Sequence, residues 1–255
     1  MPTRRRFGTF NVRLNTDADG DDAWPHRRAL VVDTIRAIDP DVLGIQEPFP
    51  DQLVYLRDSL SEYEWYGVPR KGGGEGEHSA IAWRANRFDA VACETRWLSE
   101  QPDVPSVGWD AAYYRTATRV RLLDRETDDT ITVWNTHLDN EGATARRESA
   151  RLLSEWTQDD PPVVLLGDFN APPGSEPYEG LTGDGGGALR DARDRATETV
   201  GPDGTIHHFT GDPEEHIDHV FVSPEIDVEH HRVVTDSEAG RYPSDHFPVV
   251  ADLVC

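Results

Sequence analysis

The chain has 255 residues, 36 % of them hydrophobic, enough to bury the core of one large α/β domain spanning 1–255, with no linker or composition break to divide it. Two cysteines, Cys93 and Cys255, exclude a disulfide framework and a zinc–thiolate motif, and no apolar run is long enough to cross a bilayer. Acidic residues outnumber basic ones 48 to 25 for a net charge of −23, with Lys71 the sole lysine; this suggests a halophile's protein, and because the Debye length falls to ~3 Å at molar salt, the charge does not exclude nucleic acid as a substrate.

After Met1 to Arg6 the chain goes straight into an alternating strand pattern, Phe7 to Val12. There is no apolar leader segment, so no secretory signal is expected, and a cytoplasmic location follows. Asp17 to Asp22 reads as an acidic loop. Pro25 to Ile38 has helical spacing, with Leu30, Val31, Thr34, Ile35 and Ile38 on one face and Asp39-Pro40 as the stop. Val42 to Ile45 is a buried strand that ends in Gln46-Glu47, and Pro50 to Leu60 is a short helix. Tyr63 to Val68, Ser79 to Trp83 and Phe88 to Leu98 read as strands. The Gly-rich loop from Lys71 to Glu77 lacks the Gly-Lys-Ser/Thr and following helix of a phosphate-binding P-loop.

Arg115 to Leu123 and Thr130 to Thr136 form a hairpin pattern whose second strand runs into His137-Leu-Asp139. Ala143 to Trp156 is the clearest helix, with Ala145, Leu152, Leu153 and Trp156 on its buried side. The run Val163 to Leu166 reads as a strand buried on both faces, and it leads into Gly167-Asp-Phe-Asn170. If the chain stays extended there, Asp168 and Asn170 leave it on the same side; an Asx-turn is the competing arrangement. Gly183 to Gly187 is a loop and Ala188 to Arg195 a helix. Ile217 to Val222, Val228 to Val234 and Phe247 to Leu253 complete the strands. Hairpins and crossovers are both required, which points to two packed mixed sheets with helices outside.

Polar residues collect at the strand ends: Asn11, Glu47, His137, Asp168, Asn170, Asp218, Asp245 and His246. The set is rich in oxygen donors and has no sulfur, so it suits Mg²⁺ (or Mn²⁺) better than Zn²⁺. A hard cation held by a few carboxylates hydrolyses phosphate esters by neutralising charge and activating water. The sequence lacks His-Glu-x-x-His, Gly-Asn-His and Gly-x-Ser-x-Gly, which removes zincins, dinuclear metallophosphoesterases and the usual serine hydrolases. The pairs His207-His208 and His230-His231 point to opposite sides of a strand, and His216 and His219 lack a ligand context.

Phe10-Asn-Val12, Gly44-Ile-Gln-Glu47, Asn135-Thr-His-Leu-Asp139, Gly167-Asp-Phe-Asn170, Ile217-Asp-His-Val-Phe-Val222 and Ser244-Asp-His-Phe-Pro-Val249 occur in this order. Together they resemble the endonuclease/exonuclease/phosphatase family. Trp109-Asp-Ala-Ala112, Arg115-Thr-Ala-Thr118, Ala145 to Leu153 and His207-His-Phe-Thr-Gly211 resemble a microbial branch of it whose substrate is unassigned. The resemblance implies a four-layer α/β sandwich of the deoxyribonuclease-I-like type. It also implies a Mg²⁺/Mn²⁺-dependent phosphodiesterase or phosphatase, with a DNA or RNA nuclease as the alternative and a catalytically silent binding module as the remote one.

In that resemblance Glu47 is the main metal ligand with Asn11 beside it, and Asp245 is a further metal-site carboxylate. Asp168 orients or deprotonates the attacking water and Asn170 holds that water or a phosphate oxygen. His246 contacts the scissile phosphate, Asp218 fixes His246, His137 is a second donor or general acid, and Arg115 binds phosphate. Asp139 is read as a helix cap, Arg146 and Arg147 as solvated, Glu77 as structural, His219 as packing, and Trp24, Trp97, Trp109 and Phe209 as core. The expected partner is a phosphate-ester substrate, nucleic acid included; no membrane association is expected, and the protein is expected to act as a monomer.

Overall fold

The computed structural model describes residues 3–159, 161–183 and 189–254. In chain order these residues form β1 (Arg4–Asn11), α1 (Trp24–Ile38), β2 (Val42–Gln46), α2 (Pro50–Ser59), β3 (Tyr63–Tyr66), β4 (Ser79–Arg84), β5 (Phe88–Trp97), β6 (Thr116–Asp124) and β7 (Thr130–His137). They continue with α3 (Ala143–Trp156), β8 (Val163–Asp168), α4 (Glu176–Thr182), β9 (Arg190–Asp191), α5 (Ala192–Arg195), β10 (Glu198–Val200), β11 (Asp218–Val222), β12 (Asp227–Val233) and β13 (Val249–Val254).

Two mixed sheets result. One has the order β10-β12-β13-β1-β2-β4-β3 and the other β5-β6-β7-β8-β11-β9. Strand alternation explains how they stack. In β8, Val164 and Leu166 enter the core between the sheets, where they meet Phe7, Val42 and Ile81 of the facing sheet. Val163 and Leu165 of the same strand point outward and pack with Ala150 and Leu153 of α3 and Leu181 of α4. On the far side Phe10, Leu43 and Ile45 receive Val31, Val32 and Ile35 of α1 and Leu56 of α2. The layers are therefore helix, sheet, sheet, helix, the expected four-layer sandwich.

Pro25 lies in the first turn of α1, where its missing N–H leaves no bond unmade, and Asp39 in left-handed backbone (φ 52°) ends that helix. Gly44 faces the opposite sheet; a Cβ there would lie 2.7 Å from Asn135 Oδ1. That close approach lets Asn135 stitch the sheets together: its Nδ2 donates to Ile45 O (3.0 Å) and Ala80 O (2.8 Å), and its Oδ1 accepts from Gln46 Nε2 (2.6 Å).

Several expected elements change. The helix placed over 188–195 shrinks to the single turn of α5 behind the short strand β9, because Arg190 and Asp191 pair with Val222 and Phe221. Residue 188, the loop positions 184–187 and Cys255 lie outside the described residues. The last strand begins at Val249 and not at Phe247; Pro248, between them, has no N–H for a ladder. The strands β9 and β10 and the helix α4 carry no periodicity that sequence reading detected.

Candidate active site

The strand ends meet at one rim of the sandwich. Parallel pairing of β1 with β2 sets Asn11 opposite Gln46, next to Glu47, and parallel pairing of β7 with β8 sets His137 opposite Asp168. The antiparallel pairing of β11 with β8 places Asp218 opposite Asp168. The loop 244–248 brings Asp245 and His246 to the same place. The result is a cavity of ≈ 490 Å³ whose lining includes Glu47, His137, Asp168, Asn170, Asp245 and His246, with Arg13, Arg70, Glu77, Tyr113, Arg115 and His208 also on the wall. All nine site residues read from the sequence converge here: seven line or abut this cavity, and Asn11 and Asp218 stand directly behind them.

Asn11, buried, is the pivot. Its Nδ2 donates to Glu47 Oε1 and to Asp168 Oδ2, each at 3.0 Å, while its Oδ1 accepts from Arg13 N (2.9 Å). The reverse amide orientation would set oxygen against two carboxylates and NH₂ against an N–H, so the assignment is fixed by its partners. Asn11, expected beside the metal, holds the two carboxylates together through its Nδ2, while its Oδ1 takes the Arg13 N–H on one of two lone pairs. Glu47 Oε2 accepts from Leu14 N (2.8 Å).

Four non-glycine residues of the wall, Arg13, Glu47, Asn170 and His208, adopt left-handed backbone with φ of 56°, 71°, 45° and 49°. Such conformations cost about 1–3 kcal/mol each and persist where surroundings over-determine them. At Asn170 this resolves the two sequence readings. The chain does not stay extended: Asn170 N donates to Asp168 Oδ1 (3.0 Å) in an Asx-type turn, and both side chains still line the cavity. Asn170 Nδ2 donates to Leu138 O (3.0 Å), which leaves its amide oxygen as an acceptor.

Charge is divided unevenly around Asp168. Burial and the neighbouring Asp218 push its carboxyl up to about 7. On one side, His246 Nδ1 donates to Asp218 Oδ2 at 2.9 Å and lies 3.9 Å from Asp168 Oδ2. Burial alone would lower the His246 pKa, but Asp218, Asp168 and Asp245 outweigh it and hold it well above the usual value, so the ring is cationic. On the other side, His137 Nε2 lies 3.4 Å from Asp168 Oδ2. Burial, then Arg115, His246 and Arg70, depress His137 well below the usual value, so this ring is neutral. One carboxylate is thus flanked by an imidazolium and an imidazole, a division that separates acid from base roles.

Arg115 Nε donates to Asp139 Oδ2 (3.3 Å) and its Nη2 to Asn140 Oδ1 (2.9 Å), which aims the guanidinium at the cavity. Asp139 therefore holds an arginine as well as accepting from Glu141 N and Gly142 N before α3. The helix itself is capped from a distance by Asp110, whose carboxylate accepts from Thr144 N and Ala145 N. Sequence reading missed that cap. It also missed Arg13, Arg70 and Tyr113, and it assigned Glu77 to a structural role. Glu77 is buried on the cavity wall in a two-point pair with Arg70 (2.6 and 2.8 Å). Trp24 and Trp97 are buried, as expected of core residues; Tyr113, under the guanidinium groups of Arg70 and Arg115, is the aromatic at the cavity.

A hard divalent cation fits this donor set. Glu47, Glu77, Asp168 and Asp245 surround one space with no sulfur among them, and burial together with Glu47 lifts Glu77 to about 7, as burial and Asp218 do for Asp168. Carboxyl groups raised in this way are short of positive charge, which an added cation supplies.

A family model described as the endonuclease/exonuclease/phosphatase family matches residues 8–246. An endonuclease/exonuclease/phosphatase family protein from Bacteroides thetaiotaomicron superposes with a TM-score of 0.95 at 34 % identity, over 100 % of this chain and 98 % of that one. A mannosyl-6-phosphatase from the same organism superposes with a TM-score of 0.92 at 34 % identity, over 98 % of this chain and 100 % of that one. Nocturnin from Drosophila melanogaster is 25 % identical over 283 residues, 90 % of this chain and 42 % of its own length. This chain spans about half the length of the curated relatives it matches.

Proposed function

Because the chain belongs to the endonuclease/exonuclease/phosphatase family, we propose that it is a Mg²⁺- or Mn²⁺-dependent phosphoesterase that hydrolyses a P–O bond by in-line attack of water. The observation that carries this reading is the convergence of Glu47, Asp168, Asp245, His137 and His246 on one cavity, with Asp168 between two imidazoles of opposite charge state. Glu47 and Asp245, with Glu77 as a further oxygen donor, would hold the ion. When bound, such an ion neutralises phosphate charge and makes water a better nucleophile.

The chain's own residues supply the rest. Asp168, within 3.4 Å of His137 and 3.9 Å of His246, accepts the proton of the attacking water. Asn170 offers its amide oxygen to orient that water. His246 donates from its cationic ring to a phosphate oxygen as charge develops there, while Asp218 holds its Nδ1. His137 stands across from it as a second donor. Arg115 meets the phosphate with a planar fork.

A small phosphomonoester, such as a sugar phosphate, is the favoured substrate class. Its support is the 34 % identity to a mannosyl-6-phosphatase over nearly the whole of both chains, together with a cavity of ≈ 490 Å³. A nuclease is the second reading, supported by the family's own description as endonuclease/exonuclease/phosphatase. The acidic, lysine-poor composition supports a monomeric cytoplasmic protein working at high salt. No helix among the described residues is long and apolar enough to cross a membrane.

The test is a panel of hexose phosphates, inositol phosphates, bis-p-nitrophenyl phosphate, single-stranded RNA and plasmid DNA, at high salt with Mg²⁺ or Mn²⁺. Hydrolysis should disappear with EDTA and return with metal. Asp168→Asn and His246→Ala should each lower kcat by at least about 10³-fold with an unchanged circular dichroism spectrum. Near-normal turnover in either variant, or full activity in EDTA, contradicts the assignment.

A further inference from the structure

On the face of β11 turned away from Asp218, a second cluster has nothing to do in the chemistry above. Asp191 at the end of β9, His219 on β11 and His216 just before it are all buried, and one ligand atom from each lies within 4.8 Å of the others. His219 Nδ1 is 3.0 Å from Asp191 Oδ2. Spacing along the chain puts these histidines in no shared context; the fold brings them together.

The outer nitrogen of each ring is already committed to a backbone carbonyl. His216 Nδ1 donates to Asp203 O (2.9 Å) and His219 Nε2 to Ala171 O (3.1 Å). Histidines that ligate a metal are typically fixed in this way, with one N–H on a carbonyl and the other nitrogen's lone pair turned to the ion. Here the nitrogens left for an ion are His219 Nδ1, which without one donates to Asp191, and His216 Nε2. The latter has no hydrogen-bond partner among the described residues, although His216 is only 5 % exposed.

Beside them is His231 of β12, 1 % exposed, with both ring nitrogens unpartnered among the described residues and its centroid 6.1 Å from that of His216. A plain Asp191–His219 ion pair satisfies Asp191 but leaves these buried nitrogens unsatisfied, at about 1–3 kcal/mol each.

We propose that Asp191, His216 and His219, with His231 as the available fourth donor, form a buried structural site for one transition-metal ion, zinc by the character of the donors. Imidazoles with a single carboxylate favour Zn²⁺ over the hard cations suited to the Glu47 cavity. The three ligand atoms of Asp191, His216 and His219, within 4.8 Å of one another, reach zinc–ligand distances by closing on the ion by less than about 1 Å each. The ion would tie β9, β11 and the segment before β11 to β12 of the opposite sheet, behind the strand that presents Asp218.

The test uses the untagged full chain, exposed to excess ZnSO₄, desalted in Mg²⁺ buffer and analysed by inductively coupled plasma mass spectrometry. About one zinc per chain is expected in the wild type and in Glu47→Gln, and a small fraction of that in His216→Gln. Zinc lost in Glu47→Gln but kept in His216→Gln would place the ion in the phosphoesterase cavity and overturn the proposal, as would a wild type that retains none. If His216→Gln does not fold, cobalt substitution of the wild type decides: an intense visible d–d spectrum of four-coordinate Co²⁺ is expected, and a weak six-coordinate spectrum or none overturns the site. Neither result depends on phosphoesterase activity.

Discussion

Asp218→Asn separates the charge of Asp218 from its shape. Asp218 is buried, with Oδ2 2.9 Å from His246 Nδ1 and Oδ1 without a partner among the described residues. At that distance an ion pair in a medium of effective dielectric about 20 is worth about 4–6 kcal/mol. The asparagine oxygen keeps a hydrogen bond but not the charge, so His246 loses the largest of the attractions that hold it cationic. The sign follows: a histidine whose pKa is raised is charged below that value, so lowering the value makes the ring lose its charge at lower pH.

The alkaline limb of the kcat/KM–pH profile should therefore move down in Asp218→Asn, and kcat/KM at the wild-type optimum should fall by about 10²–10³-fold. Melting temperature should fall, because removing one partner of a buried ion pair leaves His246 less compensated. The assay is initial-rate kinetics from pH 5 to 9 on the best substrate of the panel, with a melting curve at each pH. Activity within about fivefold of wild type and an unmoved alkaline limb would refute the coupling of Asp218 to His246.

Two further outcomes follow from the core. His207 is buried against Phe247 (ring centroids 3.9 Å) and burial lowers it to about 4. The unfolded chain takes up this proton near pH 6.5, so stability should be complete above that pH and fall as pH drops toward 4, by at most about 3 kcal/mol. His207→Phe should flatten urea-unfolding free energies over that window, and an unchanged slope would count against the assignment. Gly44→Ala drives a Cβ to 2.7 Å from Asn135 Oδ1 and 3.0 Å from the Leu166 Cβ; a loss of about 1–3 kcal/mol is expected in the same assay, and wild-type stability would mean that the sheets move apart easily.

Residues were legible in the sequence where chemistry and local pattern coincided. The runs Val163 to Leu166 and Val42 to Ile45 are apolar throughout because both faces are covered, and the polar residues that follow them therefore stood out as a rim. The hairpin of β6 and β7 was legible from alternation, and Leu123 does pair with Thr130. Arg70 and Glu77 were not, because they bracket a glycine-rich loop with no periodicity, and only pairing across the loop carries them to the cavity. Asn11 stood out at the rim, but which end of its amide faces the carboxylates was not legible, since an asparagine's two ends are distinguished only by its partners. The cluster of His216, His219 and His231 was invisible for a different reason: it needs β12 of one sheet to approach β11 of the other, and sequence spacing holds no trace of that.

The central claim is that the Glu47 cavity holds a divalent cation. Anomalous diffraction from crystals soaked in MnCl₂ tests it most directly. The account predicts a Mn²⁺ peak within coordination distance of the Glu47 carboxylate, on the side of the cavity shared with Asp168 and Asp245, and its loss in Glu47→Gln. A fully soaked crystal with no peak in that cavity, or with a peak that survives Glu47→Gln unchanged, would contradict it.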